Sequence, residues 1–386
     1  MAQLPILAPY AASLGAGALF TGVILGSYSL VNMTGNLLAG PVIDAYDRRV
    51  TIVAGLLTAG LAVAGYAVVT HPWQLLLVRL VHGAGGAVLI PAVFAWAGDR
   101  SRSGAVGRSM GYAGAAVAVA ATVGPALGGV GGARLGPERV FLFLGALLWT
   151  TALIVIATGY RELFTRRGVR DAAPGAEADP GTAARPDPAI RPLSAILEVL
   201  RHPALAGAYR AVLGLTFAMG TLAYTLPITM RDLGFSTSYT GMLFSSFSIA
   251  AILVMLLPTN RLPDRYGPLR VAQAGLLVVA LSLATLVGAF TLPFLAVTIV
   301  FYGLAFGLVF PATTTIVVNT AGRDRRGTAF GVYYAFYSLG VFVGPILAGF
   351  TASLGVSPYW NAVAVIAVTQ LLEVRSNSRV ADDPGY

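Results

Sequence analysis

The chain has 386 residues, 56% of them hydrophobic and 11% charged, with a formal net charge of +9 and no cysteine. Soluble domains are about 45–50% apolar and about 25% charged, so this chain has too little charge to coat a water-facing surface, and lipid is the solvent that suits it. The missing cysteines exclude a disulfide framework and a thiolate metal site.

Crossing the hydrocarbon core takes about 20 mostly apolar residues. The chain opens with Gln3–Leu14, which is apolar but too short to cross unaided. Segments that satisfy the length follow at 18–42, 50–70, 73–97, 105–129 and 138–159. After a polar gap they resume at 204–229, 238–258, 269–290, 293–320, 327–350 and 357–374, which makes eleven full spans. The gap, 161–202, is rich in proline, glycine, alanine and charge, and such a composition buries no core. Its last stretch, Leu193–Arg201, has helical apolar spacing and predicts a short helix lying in the interface. No cleavable signal peptide is visible.

The basic residues are all arginine, and they fall on alternate loops. Arg48 and Arg49, Arg100 to Arg108, the arginines of 161–201, Arg261 to Arg270, Arg323 to Arg326, and Arg375 with Arg379 make twenty on one side. The other side has Arg134, Arg139 and Arg231. The positive-inside rule places the first set in the cytoplasm, together with the central linker and the C-terminus. The high net charge then reads as topology rather than nucleic-acid binding.

The sequence also repeats. A shift of 220 lays Asp44 on Asp264, Gly83 on Gly303, Pro91 on Pro311, Gly111 on Gly331, Gly124-Pro125 on Gly344-Pro345 and Gly129 on Gly349. Further upstream the register is 219, so that Thr21-Gly22 meets Thr240-Gly241 and Tyr28 meets Phe247. The same register sets the start of the first helix about 16 residues before Met1, so the expectation is a chain that begins inside its first helix. Parallel repeats about an axis along the membrane normal are one way of building a secondary transporter, with the solute site near the midplane between the halves.

Three stretches resemble motifs of the major facilitator superfamily, and the resemblance covers nearly the whole chain. Gly40-Pro41-Val42-Ile43-Asp44-Ala45-Tyr46-Asp47-Arg48-Arg49 resembles motif A, departing at Ala45 and Asp47, and its second copy ends in Asp264-Arg265-Tyr266-Gly267. Asp44 can pair with an arginine or a helix N-terminus and hold one face shut; Arg48 and Arg49 also read as simple topology anchors. Arg79-Leu80-Val81-His82-Gly83 resembles motif B. Arg79 reads either as a cavity residue or as a side chain reaching for the interface, and His82 as a titrating group or a hydrogen-bonded structural one. Gly111, Gly124-Pro125 and Gly129 resemble motif C, with Ala120 as a departure. In the family that motif is associated with exporters that exchange solute for protons. Small residues let helix backbones touch there, and Gly344-Pro345 suggests the same device in the second half.

The resemblance implies an all-α membrane fold of two six-helix bundles. These comprise 1–160 with a partial first helix and 203–375, joined by the cytoplasmic linker 161–202 and followed by a tail, 376–386. It also implies that the first, fourth, seventh and tenth helices line the cavity, which offers Arg79, His82, Tyr224, Tyr302 and Phe306. Tyr28, Asn32, Phe247 and Tyr333 stand on flanking helices. Such aromatic surfaces suit amphiphilic or aromatic solutes, and the same aromatics also read as packing or interfacial belts. The acids all lie near the ends of the apolar segments, Glu373 among them, which leaves Arg79 as the deep charge. The expectation is a monomeric, proton-coupled exporter of small organic solutes; the alternative is an importer or exchanger of organic anions or other metabolites. The sequence offers no nucleophile–base spacing, metal cluster or cofactor loop, so neither an enzyme nor a cofactor is expected.

Overall fold

The fold is described from a computed structural model covering residues 1–45, 48–99, 106–170, 193–257, 262–288, 291–321 and 325–381. Among these residues all regular structure is helical. The first half holds α1 (Leu4–Ser13), α2 (Ala18–Ala45), α3 (Arg48–Gly65), α4 (Pro72–Asp99), α5 (Val106–Leu135) and α6 (Pro137–Arg170). Next comes α7 (Leu193–Arg201), and then the second half: α8 (Pro203–Asp232), α9 (Thr237–Leu256), α10 (Leu262–Tyr266), α11 (Pro268–Leu286), α12 (Leu292–Thr320), α13 (Arg326–Ser353) and α14 (Tyr359–Ala381).

Nine described helices are long and apolar enough to cross a membrane. The apolar part of α3, Arg49–Gly65, falls just short, and α1 is shorter still. A ten-residue helix is about 15 Å long against a core of about 30 Å, so α1 penetrates without crossing. Large apolar side chains such as Leu61, Trp73, Leu127, Phe143 and Leu281 lie exposed on the outer helix faces. In water such a surface would aggregate; in lipid it is the ordinary boundary.

Proline and glycine set the helix boundaries. Proline stands at the first or second position of α1, α8, α11 and α12, where the lost N–H would be unpaired anyway. On the side away from the linker the turns are short and end in left-handed glycines: Gly15, Gly136, Gly234 and Gly355. Three of these turns close in the same way. Ala16 N–H donates to Ala11 O at 3.1 Å, Phe235 N–H to Met230 O at 2.9 Å, and Val356 N–H to Thr351 O at 3.0 Å. These are Schellman closures, which need a residue free to take positive φ. The far side is therefore stitched with tight turns, and Gly15 and Gly136 recur as Gly234 and Gly355 at the shift of 219.

Within each half the helices pack into apolar clusters. One joins Tyr10, Ile24, Tyr66, Leu75 and Phe141; its counterpart joins Leu226, Leu243, Leu276, Leu283, Leu295 and Tyr302. The short helix expected at Leu193–Arg201 is present as α7. Val199 enters a cluster with Tyr209, Ile316 and Tyr333, and Glu198 pairs with Arg325 at the start of α13. Between the halves, α13 packs along α2 and α5 along α9; within the second half α13 also packs along α8.

Candidate functional site

The two halves meet on the far side through main chain rather than side chains. A Cβ on Gly22 of α2 would come within 2.9 Å of the carbonyl carbon of Pro345, and one on Gly349 within 3.0 Å of the carbonyl carbon of Ala18. The repeat gives the same contacts again. A Cβ on Gly241 of α9 would lie 3.0 Å from the carbonyl carbon of Pro125, and one on Gly129 3.0 Å from the Cα of Gly241. Any larger residue at these positions must push the helices apart. Three hydroxyls bridge the same seams. Tyr224 donates to Ala18 O at 3.0 Å, Thr237 to Gly129 O at 3.0 Å, and Ser248 to Ala121 O at 3.0 Å. Pro125 and Gly129 thus meet Gly241, and Pro345 and Gly349 meet α2, as two matched pairs of helices, while Gly124 packs on the N-terminus, where a Cβ would lie 3.1 Å from the Cβ of Met1. Gly344 itself packs on α8, 3.0 Å from the Thr221 nitrogen to a built Cβ.

Arg79 lies seven residues into α4 and is buried. Its Nε donates to Ile24 O at 3.3 Å and its Nη2 to Leu25 O at 3.0 Å, with the guanidinium 5.1 Å above the Tyr28 ring. The side chain thus turns into the bundle and clamps α2, rather than reaching for the interface. One turn on, His82 Nδ1 is 2.9 Å from the Tyr66 hydroxyl, and its ring meets Tyr28 edge-on at 4.9 Å. Tyr66 in turn accepts, at its carbonyl, the Tyr10 hydroxyl at 2.7 Å. Glycines make the room: a Cβ on Gly83 would lie 3.0 Å from Tyr28 O, and one on Gly86 would run into the Tyr28 ring, 3.1 Å from its Cζ.

The second half repeats this arrangement with different chemistry. At the same register His82 becomes Tyr302, Tyr28 becomes Phe247 and Gly86 becomes Phe306. The Phe247 and Tyr302 rings are 5.3 Å apart, and Phe247 and Phe306 also 5.3 Å. A Cβ on Gly303 would lie 3.1 Å from the carbonyl carbon of Phe247, matching Gly83 against Tyr28. The array continues through Phe310 to Tyr333 and Tyr337. Tyr333 shares a hydrogen bond of 2.8 Å with Thr313. The Tyr302 hydroxyl is buried with no hydrogen-bond partner among the described residues.

The remaining sequence-derived residues lie apart from these clusters. Asn32 is on α2 and keeps a polar partner of its own. Gly40 and Asp44 lie near the end of α2, Arg48 and Arg49 begin α3, and Gly111 lies near the start of α5. The side chains of Asp44 and Arg48, together with Asp47 and Arg261, lie outside the described residues, as does 171–192. In the second copy of motif A, Asp264 and Arg265 are exposed on α10, and Arg265 stacks 5.3 Å over Tyr266. Gly267 holds φ +87° at the start of α11, the left-handed turn that only glycine takes without strain.

Two expectations need correction: that every acid sits near the end of its helix, and that Arg79 is the one deep charge. Although the apolar stretch ends near 374, α14 continues to Ala381, which leaves Glu373 fourteen residues into the helix and 4% exposed. It pairs with Arg210, seven residues into α8. Hydropathy hid the pair, because a single charge leaves the mean of an otherwise apolar window high and says nothing of a partner 163 residues away. Tyr66 was missed for a similar reason: nothing marks it until His82 is seen beside it.

The sequence pattern of the Major Facilitator Superfamily matches residues 1–227 and again 211–372. Among curated proteins, the chain is 24% identical over 340 residues to multidrug resistance protein 2 of Bacillus subtilis, covering 87% of this chain and 80% of that one. It is 24% identical over 372 residues to the quinolone resistance protein NorA of Staphylococcus aureus, covering 94% and 88%. It is 23% identical over 367 residues to an uncharacterized MFS-type transporter of Methanocaldococcus jannaschii, covering 94% and 90%. Among solved structures, a bacterial homolog of the human lysosomal transporter Spinster, inward-facing and unoccupied, superposes with a TM-score of 0.71 at 16% identity, over 97% of this chain and 91% of that one. The nucleoside transporter NupG gives 0.70 at 15% identity, over 98% and 95%. With the family pattern matched across both halves and the helices arranged as in these transporters, the chain is a multi-pass membrane protein of the Major Facilitator Superfamily.

Proposed function

We propose that the chain exports small amphiphilic or aromatic organic solutes across the cytoplasmic membrane by alternating access, as a monomer driven by the proton gradient. The observation that carries this reading is the doubled small-residue seam, Gly22–Pro345 with Ala18–Gly349 and Gly241–Pro125 with Thr237–Gly129. A seal of main chain on main chain can part and re-form without exposing an unpaired charge. The multidrug and quinolone resistance proteins among the relatives support export of such solutes, and the wall of Phe247, Tyr302 and Phe306 suits their shape. The linker, the motif A loops and the C-terminus are read as cytoplasmic, which makes the sealed face the outer one. In this reading Asp44, Arg48, Arg49, Asp264 and Arg265 act on the cytoplasmic face, and Tyr28, Asn32, Arg79, His82 and Tyr333 border the path.

The test is ethidium and norfloxacin transport in proteoliposomes under an imposed proton gradient. Movement of either probe against its own gradient, collapsing when the proton gradient is discharged, is the expected result. Transport that ignores the proton gradient would reject coupling. Orientation is read from engineered single cysteines, since the chain has none of its own.

One observation favours the second reading, exchange or import of organic anions. Arg79 is buried on backbone carbonyls and a tyrosine ring, with no carboxylate bonded to it among the described residues. An anion could take that role. Loss of benzoate uptake in Arg79→Ala with dye export intact would favour it.

A further inference from the structure

We infer that Glu373 is a proton-binding site, fed from the linker side, at which a proton and Arg210 compete for one carboxylate. The inference rests on the proton-driven reading above and assigns it a residue.

The geometry is that of a built site. Glu373 sits between α14, α8 and α11, with its side chain 5% exposed. Arg210 donates to it through both Nε, at 3.1 Å, and Nη2, and both bonds fall on Oε2. Oε1 has no hydrogen-bond partner among the described residues. Gly207, one turn before Arg210, leaves the carboxylate its space: a Cβ there would come within 2.9 Å of Oε1 and 3.1 Å of Oε2. Beside the carboxylate is a space of about 10 Å³, roughly what one water occupies. The groups facing that space are Gly207, Arg210 and Ala211 from α8, Leu269, Gln273 and Leu276 from α11, and Thr369 and Gln370 from α14 itself. Arg210 is thus the charged partner of Glu373 among the described residues.

Access comes from a larger cleft. A volume of about 520 Å³ lies between the linker-side ends of α8, α11 and α12, bordered by Tyr266, Arg270, Asn319 and Thr320. Leu269 and Gln273 line both the cleft and the one-water space. Gln370 fixes this wall by donating to Gln273 O at 2.9 Å. Water in the cleft therefore stands one wall away from Oε1.

The exchange is a balanced step. A hydronium in the cleft passes a proton by way of the water-sized space to Oε1 and is left as water, the carboxylate becomes neutral, and Arg210 loses its counter-charge. Arg210 then turns toward the cleft. The reverse movement restores the ion pair and returns the proton to water. Arg210 shares α8 with Tyr224, whose hydroxyl bridges to Ala18 across the halves. Fourteen residues, about 21 Å of helix, separate the proton site from that bridge, so a tilt of α8 couples the two.

Two measurements test this. The first uses the unaltered protein in lipid, treated with a hydrophobic carbodiimide that captures protonated buried carboxyls, with adducts mapped by mass spectrometry. Labelling of Glu373 should rise about fivefold or more when the medium is acidified. In Arg210→Gln, labelling should exceed that of the unaltered protein at the same pH, because the competitor is gone. No labelling at any pH, or labelling that ignores both pH and Arg210, would overturn the inference. The second measurement uses Glu373→Gln in proteoliposomes. Gradient-driven ethidium export should fall about tenfold or more, while ethidium-for-ethidium exchange stays within about twofold. Unchanged gradient-driven export in this variant would also overturn it. If the unaltered protein shows no gradient-driven transport, the function proposed above fails, and the labelling result still decides whether Glu373 binds a proton.

Discussion

The two halves follow one plan and end in different chemistry at the same place. In the first, His82 and Tyr28 are wired into a polar chain with Tyr66 and Arg79, and Gly86 makes room for the Tyr28 ring. In the second, Tyr302 and Phe247 form part of an aromatic wall, with Phe306 where the first half has glycine. The backbone contacts behind both are nearly the same, Gly83 on Tyr28 and Gly303 on Phe247. Duplication thus preserved what lets helices touch and released the side chains packed around those contacts. Positions whose neighbours are main chain cannot drift; positions whose neighbours are side chains can.

The comparison can be broken most sharply at the shared backbone. Gly22→Val and Gly241→Val each push a Cβ into a proline carbonyl. Overpacking of this kind costs about 1–3 kcal/mol, which predicts a fall in dye transport of about 5- to 150-fold, similar for the two, at near-normal expression. A large effect in one and none in the other would mean that the two seams are not equivalent. The next effect in size separates the halves. His82→Phe removes one of the two partners of the Tyr66 hydroxyl, leaving Arg79 beside it, and should cost about 1 kcal/mol of stability, read as a lower unfolding temperature in detergent. Tyr224→Phe removes one bridge to Ala18 and leaves the seam glycines in place. At about 1 kcal/mol, it should shift the population toward the far-side-open form about fivefold, read by labelling an introduced cysteine in the 14–17 turn. The smallest effect belongs to Tyr302→Phe. Its hydroxyl has no partner among the described residues, so its removal should leave the unfolding temperature within error or raise it. A cost equal to that of His82→Phe would show that the second half hides a polar chain of its own.

The helix positions were legible in the sequence because lipid reduces the folding code to length and apolarity, and among the described residues nine of the eleven expected spans are long and apolar enough to cross. The repeat was legible because glycine and proline are fixed by backbone geometry, and Gly124-Pro125 against Gly344-Pro345 survives while the residues around them change. The sites were less legible. Arg79 stood out as a charge in an apolar run, yet nothing in the run says that it would reach Ile24 and Leu25 rather than water. Tyr224 read as a cavity residue, and nothing in the sequence marks that its hydroxyl bridges to Ala18 across the halves. Glu373 and Arg210 are 163 residues apart in sequence. Either looks like a helix-end charge until the fold places it against the other.

The seams between the halves have a kinetic consequence. Their contacts run through carbonyls, α-carbons and hydroxyls, and the described contacts across them hold no ion pair. Sliding neutral atoms through the membrane field does no electrical work, and there are no surface charges for salt to screen. At a fixed protonation state of Glu373, the opening rate of this gate should therefore depend little on membrane voltage and ionic strength, leaving bilayer thickness and lateral pressure as the physical levers on how fast it swings.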